Sequence, residues 1–578
     1  MTRRERVILE LSAKLEVMEE IIRSIVQKEL ESLGAGEVSF AVEWPGDNSH
    51  GDFAVNAGMA ASKTLGKSPR EIAELLLPKI VEELGTDASD ISIAGPGFIN
   101  ITLSEQAISK TVEEVLAKGG EWGKGTVHAG KKIQIEYSCP NPFKEMHIGH
   151  LMSTVIGESV SRLIENQGAT VIRDTYGGDV GPHVAKTLWA LQQSGITVPE
   201  TSEELGRAYT HGSRSYEESE TSKGEIDAIN TALYVALAKE DDSRDTDERA
   251  LLETWRIGRD VSIEAYKKLW GMLGAHFDYI FFESETSPIG LRIVQDGLDK
   301  GVFEESEGAV IYNGEKKGLH TLVFITSRGN PTYETKDIGL AFLKEERVSP
   351  DFSYIITASE QVGHFKVFLA ALEEIAPEVA KKMKHIPHGL LRLTSGKMSS
   401  REGNVITAES LIKDVLAKAG EKNEDPLVAT MVGMSAINYM ILRQSTGGDV
   451  VFDFDRSLSL EGDSGPYLQY ATVRAMSILA TAKEKGIAET SDAPAKPYLL
   501  ARLISRYPEV ARRAEVDKAP HTIVQYLTAL ASEWNSFYAQ ERILGGEFES
   551  YKLKMLEAYV TTMKNGLWLL GISVPEKM

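Results

Sequence analysis

KIQIEYSCPNPFKEMHIGH, residues 132–150, decides the fold. Lys132 to Tyr137 reads as a strand, Ser138 to Asn141 as a loop, and a helix is predicted to begin near His147. Strand, loop and helix in that order open a doubly wound parallel sheet, whose ligand site lies beyond the carboxyl ends of its strands. A helix starting at His147 aims backbone N–H groups and its positive dipole end at an anion. His147 and His150, one turn apart, add donors that can follow charge developing on a phosphate. Gly149 leaves room for an adenine or a phosphate to approach the backbone. A helix start with satisfied histidines would show the same short pattern, so its placement directly after a strand carries the weight.

Outward from this stretch, further strands are expected at Thr170–Tyr176, Thr321–Thr326 and Tyr354–Thr357, with helices between them. The charged run between Glu200 and Ala250 reads as a solvated helical insertion. Towards the N-terminus, Leu11, Leu15, Met18, Ile22 and Ile25 recur at helical spacing among charges. Two glycine turns follow, at Trp44–Asn48 and Ala94–Gly97, the second running into Phe98–Thr102, which suggests a small α+β domain. Beyond a linker at Lys483–Pro497 the chain reads as almost wholly helical. The expected class is therefore α/β: a Rossmann-like doubly wound catalytic domain over 116–454 with a helical insertion at about 189–280. An α+β domain over 1–115 precedes it and an all-α bundle over 455–578 follows.

The bulk numbers bound the partners. At 578 residues the chain is too long for one core, and Cys139, its one cysteine, excludes an internal disulfide framework and a cysteine-rich zinc site. No structural metal is expected, and a lone cysteine fits a cytoplasmic protein. The first helix is amphipathic and the apolar run Leu567–Val574 is too short to cross a bilayer, so neither a targeting nor a membrane segment is expected. A net charge of −22 argues against nonspecific binding to nucleic acid. From Pro497 to Met578, however, ten Lys and Arg face nine Asp and Glu, making this tail the better candidate for an RNA-facing surface.

A second chemical signal lies some 250 residues beyond the first, at Gly396-Lys397-Met398-Ser399-Ser400-Arg401-Glu402-Gly403-Asn404. Glycines bracket two cations and two hydroxyls, a composition suited to closing over a triphosphate. Alone it would read as a surface loop; paired with the histidines it does not. A third lies in Pro331-Thr332-Tyr333-Glu334-Thr335-Lys336-Asp337, where Tyr333 and Asp337 are four apart and share a helix face. Such a carboxylate can take a guanidinium bidentately while the ring packs on its plane. A first-turn acid compensating the helix dipole is the competing explanation of Asp337.

These motifs resemble those of class I aminoacyl-tRNA synthetases: His147–His150 matches the HIGH motif and Lys397–Arg401 the KMSKS motif. More narrowly the chain resembles the arginyl enzymes over nearly its whole length. Glu136–Asn141 with Lys144, Pro331–Asp337 and Glu360–Phe365 are similar to their active-site segments. Pro520-His521, Tyr526-Leu527 and Trp534–Tyr538 are similar to their anticodon-binding bundle. Gly51–Ala54 and Gly95–Asn100 resemble the N-terminal domain thought to touch the tRNA elbow.

The resemblance implies ATP-dependent activation of L-arginine, with Mg²⁺ accompanying ATP, and transfer to tRNA(Arg) by a monomer. Lys144, His147, His150 and Lys397 would be catalytic, with Gly149, Met398, Ser399, Ser400 and Arg401 also on ATP. Arginine would meet Glu136, Ser138, Cys139, Pro140, Asn141, His150, Tyr333, Asp337 and Gln361, Cys139 as a wall and not as a nucleophile. Trp534 and Tyr538, with Phe537, would stack on anticodon bases, although at this spacing at least two of the three read as bundle core.

The chain departs from the family at several points. Ser400 replaces the second lysine of KMSKS, for which Lys144 is thought to compensate. Gly178-Asp179-Val180-Gly181-Pro182-His183 stands where Gly-Asp-Trp-Gly-x-Gln is common, and Met152 where arginine is common. Two other readings are a synthetase or adenylyltransferase for a different small molecule, and a synthetase-derived RNA-binding protein. The Tyr333/Asp337 pair weighs against the first, and intact His147, His150, Lys144 and Lys397 against the second.

Overall fold

From Ile133 to Glu136 every side chain is buried, the pattern of a strand covered on both faces, and this segment sits at the centre of a five-stranded sheet. The computed structural model describes residues 18–394, 406–487, 493–494 and 496–578. Leu11 and Leu15 of the first helix lie outside the described residues, as do Lys397, Met398, Ser399, Ser400 and Arg401.

The strand order across the sheet is Met383–His388, Phe352–Ala358, Lys132–Glu136, Thr170–Gly177, Tyr279–Phe282, and all neighbours are parallel. The chain winds outward from Lys132–Glu136 through Thr170–Gly177 to Tyr279–Phe282. It then returns to the other side of the first strand for Phe352–Ala358. The direction of winding therefore reverses between Lys132–Glu136 and Phe352–Ala358, and the crevice beyond their carboxyl ends is where such sheets bind ligands. The helix Ile148–Asn166 follows the first strand and is buried along most of its length. Leu322–Ile325 is a strand as expected, but it belongs to a separate antiparallel sheet with Ala309–Tyr312 and Glu304–Ser306. A short apolar run carries no information about which sheet it joins. The insertion is helical, with Ser202–Glu218, Glu220–Ala238 and Thr246–Met272.

The described chain forms two compact units. One comprises 125–470, 514–525 and 567–578 and carries the parallel sheet; the other comprises the residues up to 124, with 471–513 and 526–566. In the second unit, Val42–Glu43, Phe53–Val55, Phe98–Leu103 and Ala88–Ala94 make an antiparallel sheet, packed with the helices Met18–Ser32 and Pro69–Leu84. Its two glycine motifs have packing reasons. Gly51 has φ +91° and a Cβ there would lie 2.6 Å from the Ile101 carbonyl oxygen, while Gly97 has φ +135° and would meet the Pro69 backbone at 2.7 Å. Asp52 accepts from the Leu103 N–H at 2.7 Å and pairs with Arg502, which ties this sheet to the helix Leu499–Ser505.

Trp534 is corrected by the structure. Its side chain is 0% exposed, its Nε1 donates to the Ala471 carbonyl, and its ring packs 5.4 Å from that of Tyr559. It has no face for an RNA base. Phe537 is buried too, and Tyr538 alone of the three is exposed, at 36%, with the Arg474 guanidinium 4.0 Å from its ring centre. Trp534→Ala is expected to cost about 3–5 kcal/mol of stability, as removal of a large buried aromatic does. Tyr538→Ala should stay under about 1 kcal/mol, because its ring is partly exposed. Urea unfolding of both variants checks the pair.

Candidate active site

The helix Ile148–Asn166 begins as it does because His147 caps it. His147 has extended backbone angles, and its Nδ1 accepts from the N–H groups of Gly149 at 3.1 Å and His150 at 3.4 Å. His150 Nδ1 in turn accepts from the His147 N–H at 3.3 Å. With both Nδ1 atoms accepting, the proton of each neutral ring lies on Nε2, so the helix start presents two Nε2–H donors. The rings stack with centroids 3.6 Å apart. Burial, and then the neighbouring Lys144 charge, hold His147 below the usual histidine range; burial, His147 and Lys144 push His150 further down. The role expected of Gly149 changes in one respect: a Cβ there would lie 2.9 Å from His147 Cε1, so glycine first makes room for the capping ring.

Lys144 is brought to the same place. Its carbonyl accepts from the Tyr266 hydroxyl at 2.5 Å, and its ammonium lies 4.5 Å from the ring centre of Tyr209 on the insertion helix Ser202–Glu218. Ile406, where the described chain resumes, accepts from the Ile148 N–H at 3.2 Å, and Ala408 N–H donates to the Met146 carbonyl at 2.7 Å. The described chain thus resumes at Ile406 against the histidine motif.

The loop after the first strand is strained. Ser138, Cys139 and Phe143 all have positive φ, at 72°, 50° and 68°, which non-glycine residues rarely adopt. Ser138 is held by Trp270 Nε1 at 2.9 Å and Thr154 Oγ1 at 2.8 Å, and its backbone N–H donates to Ser153 Oγ; its hydroxyl is therefore used for support. Cys139 lines the loop with its Sγ 3.6 Å from Glu136, and burial followed by the Glu136 charge keeps its thiol protonated. Pro140 is buried. Asn141 Oδ1 accepts from the Gly178 N–H at 3.1 Å, which leaves its amide NH₂ to donate. The variant loop 178–183 closes on itself: His183 Nε2–H donates to the Gly178 carbonyl at 2.8 Å, and burial, then Lys144, bring its pKa down to about 3. Asp179 is buried and accepts from the Ser284 N–H and hydroxyl, so it serves the fold. Met152 is buried in the site helix.

Tyr333 and Asp337 share a face of the helix Tyr333–Arg347, and Tyr333 is 67% exposed at its start. Asp337 does not stand as an open bidentate acceptor, however. Its Oδ2 receives the His364 Nε2–H at 2.7 Å, leaving a single oxygen. Burial alone would lower the pKa of His364, but its hydrogen bonds to Asp337 and Glu334 carry it up to about 10. Glu136 is also corrected. It is buried and bound at 2.5 Å by Lys344, whose ammonium also meets Asp174 at 2.8 Å, so this acid holds an internal cation.

A second acid, which sequence reasoning missed, is Glu283, which opens the helix after the edge strand Tyr279–Phe282. It is buried, its Oε2 accepts from Lys336 at 2.6 Å, and its Oε1 lies 3.2 Å from where a Gly178 Cβ would be. Glycine at 178 therefore leaves space between Glu283 and Asn141. The aromatic run Tyr279–Phe282 ending in an acid was the available signal. Gln361 is exposed just beyond the carboxyl end of Phe352–Ala358. The described residues thus set two imidazole donors at the start of the helix that follows the central strand, and gather Glu283, Lys336, Asp337 and His364 in a cluster of acids and cations with Tyr333 against it.

Three stretches of the chain match known families. Residues 20–103 match the arginyl tRNA synthetase N terminal domain, 111–454 the tRNA synthetases class I (R) catalytic domain, and 468–578 the DALR anticodon binding domain. The chain is 29% identical over 572 residues to the arginine–tRNA ligase of Halothermothrix orenii, covering 96% of this chain and 98% of that one. It is 31% identical over 588 residues to that of Limosilactobacillus reuteri, covering 96% and 99%. In fold it is similar to Thermus thermophilus arginyl-tRNA synthetase, with a TM-score of 0.78 over 97% of this chain and 99% of that one at 24% identity.

Proposed function

Because this chain belongs to the arginyl-tRNA synthetase family, whose reaction is the ligation of arginine to tRNA, we propose that Asp337, Glu283 and Tyr333 hold the guanidinium while His147 and His150 act on ATP. The observations that carry this reading are two acids, each with one oxygen that makes no hydrogen bond among the described residues, and a helix start that presents two imidazole donors. Asn141, through its free amide, and Gln361 would hold the carboxylate and ammonium end of arginine, with Cys139 and Pro140 as walls.

The arginine carboxylate attacks the α-phosphorus of ATP in line; the bond from that phosphorus to the bridging oxygen breaks and pyrophosphate leaves, giving arginyl-adenylate. Positioning and charge stabilisation suffice, and no side chain is a nucleophile. The Nε2–H groups of His147 and His150 donate to oxygens of the α-phosphate as its charge grows. Lys144 and Lys397 would neutralise the β- and γ-phosphates, with Met398, Ser399, Ser400 and Arg401 also on ATP. Mg²⁺ would ride on the triphosphate as part of the substrate and add its charge there. A ribose hydroxyl of the terminal adenosine of tRNA(Arg), the 2′-OH in our reading, then attacks the carbonyl carbon and AMP leaves.

We assign residues 1–115 to the tRNA elbow, 116–454 to catalysis and 455–578 to the anticodon, with Tyr538 as the base-stacking residue. We further propose a monomer, on the resemblance to the family, and a location in the cytoplasm, for which the single cysteine is the support. ATP–pyrophosphate exchange, with and without tRNA(Arg), tests the reading. Exchange is expected with arginine and absent with lysine or citrulline; exchange with no amino acid in either condition would overturn it.

A further inference from the structure

Each acid of the guanidinium pocket already holds a cation of the protein itself. Lys336 Nζ sits 2.6 Å from Glu283 Oε2, and His364 Nε2 sits 2.7 Å from Asp337 Oδ2. Among the described residues neither Glu283 Oε1 nor Asp337 Oδ1 makes a hydrogen bond. Lys336 is itself almost wholly buried, with its ammonium 5.3 Å from the ring centre of Tyr333 and beside the hydroxyl of Tyr234 from the insertion. A lysine in a helix of this kind ordinarily points to solvent; this one is spent inside a site that must admit another cation.

We propose that Lys336 is a specificity-determining residue, whose ammonium takes one oxygen of Glu283 so that the pocket presents two single acceptors, one from each acid, to a guanidinium. The inference rests on the arginine site proposed above and deepens it. A guanidinium carries five N–H donors in a rigid planar fork, spreads its charge and is weakly hydrated. It can reach two separate oxygens along its edge while its face lies against Tyr333. A lysine ammonium is a compact, strongly hydrated charge that needs several close acceptors when it leaves water. With Glu283 Oε2 and Asp337 Oδ2 already taken, it would find too few, and it would lie beside the like charge of Lys336. A neutral analogue such as citrulline would leave both free oxygens without their counter-charge. Removing the internal ammonium gives Glu283 both oxygens to offer, and an incoming ammonium can then replace the one removed.

The test uses the full chain with tRNA(Arg) present, measuring the KM of arginine and the Ki of lysine as its competitor in ATP–pyrophosphate exchange. In Lys336→Met the Ki of lysine is expected to fall at least about ten-fold relative to the KM of arginine, and Lys336→Arg, which restores a cation on Glu283, is expected to keep lysine out. Lys336→Leu likewise removes both the donor and the charge and carries the same lysine prediction should the methionine variant not fold. A rise of both constants together, or a lysine Ki that does not move, would overturn the inference while leaving wild-type exchange with arginine intact. A wild-type chain that exchanges with no amino acid would bring down the site reading and this inference with it.

Discussion

Asp337→Ala is expected to lower kcat/KM for arginine by about three orders of magnitude, the upper part of the 2–5 kcal/mol range for stranding one partner of a hydrogen-bonded charge pair. The upper part applies because two cations lose their partner at once, the guanidinium of arginine and His364. Glu334, at 3.4 Å from His364 Nδ1, is left to hold that imidazolium alone, so its pKa should fall from about 10. Asp337→Asn separates the contributions: its amide oxygen can still accept from His364, which spares stability, but it brings no charge to the guanidinium.

Steady-state exchange at saturating ATP reads the effect, and a loss under about ten-fold would mean that Asp337 does not contact the substrate. The pH dependence has a definite sign. His364 has a raised pKa in the fold, so its contribution to stability is complete below the ordinary histidine value of about 6.5. That contribution is lost as pH rises through about 10. His364 thus keeps its charge through neutrality, and its titration should put no break in the arginine KM between about pH 7 and 9.

The contrast between Asp337 and Glu283 shows where sequence reasoning ran out. Asp337 was legible because Tyr333 stands one helical turn before it, and helix periodicity places both on one face. Glu283 has no such local partner; it reaches the pocket only because Tyr279–Phe282 is the edge strand of the sheet, next to Thr170–Gly177. The helix opening at His147 was legible for a similar local reason, since the strand, the prolines and the cap are contiguous. Leu322–Ile325 was placed in the wrong sheet because partner choice for a strand is decided by residues far away in sequence. Neither Lys336 nor Lys344 has a role that the sequence reveals. Lysine in a helix suggests solvent, and only the acids Glu283, Glu136 and Asp174, brought in by other strands and helices, turn these two inward. Trp534 went the other way: helical spacing already favoured core over RNA contact, and the packed ring agrees.

The second large effect belongs to the two imidazoles, and it should appear in kcat. Loss of one preorganised donor to a developing oxyanion costs about 10²–10³ in rate, so His150→Ala is expected to lower kcat by that amount with the KM of ATP changed little. His147 allows a finer separation because it does two things. Its Nδ1 caps the helix while its Nε2–H faces outward to donate. His147→Ala should lose the rate and about 1 kcal/mol of stability with the cap, whereas His147→Asn, itself a good cap, should lose the rate alone. The rings stack at 3.6 Å and each accepts from the other's neighbouring backbone, so the double variant should fall short of the product of the singles. Burial and Lys144 keep both rings neutral, so kcat should show no break near the ordinary histidine value of about 6.5 and should fall only at lower pH. A break at or above that value would mean that an imidazolium takes part. A raised KM for ATP with kcat intact would mean that the histidines bind the ground state equally well and stabilise no transition state.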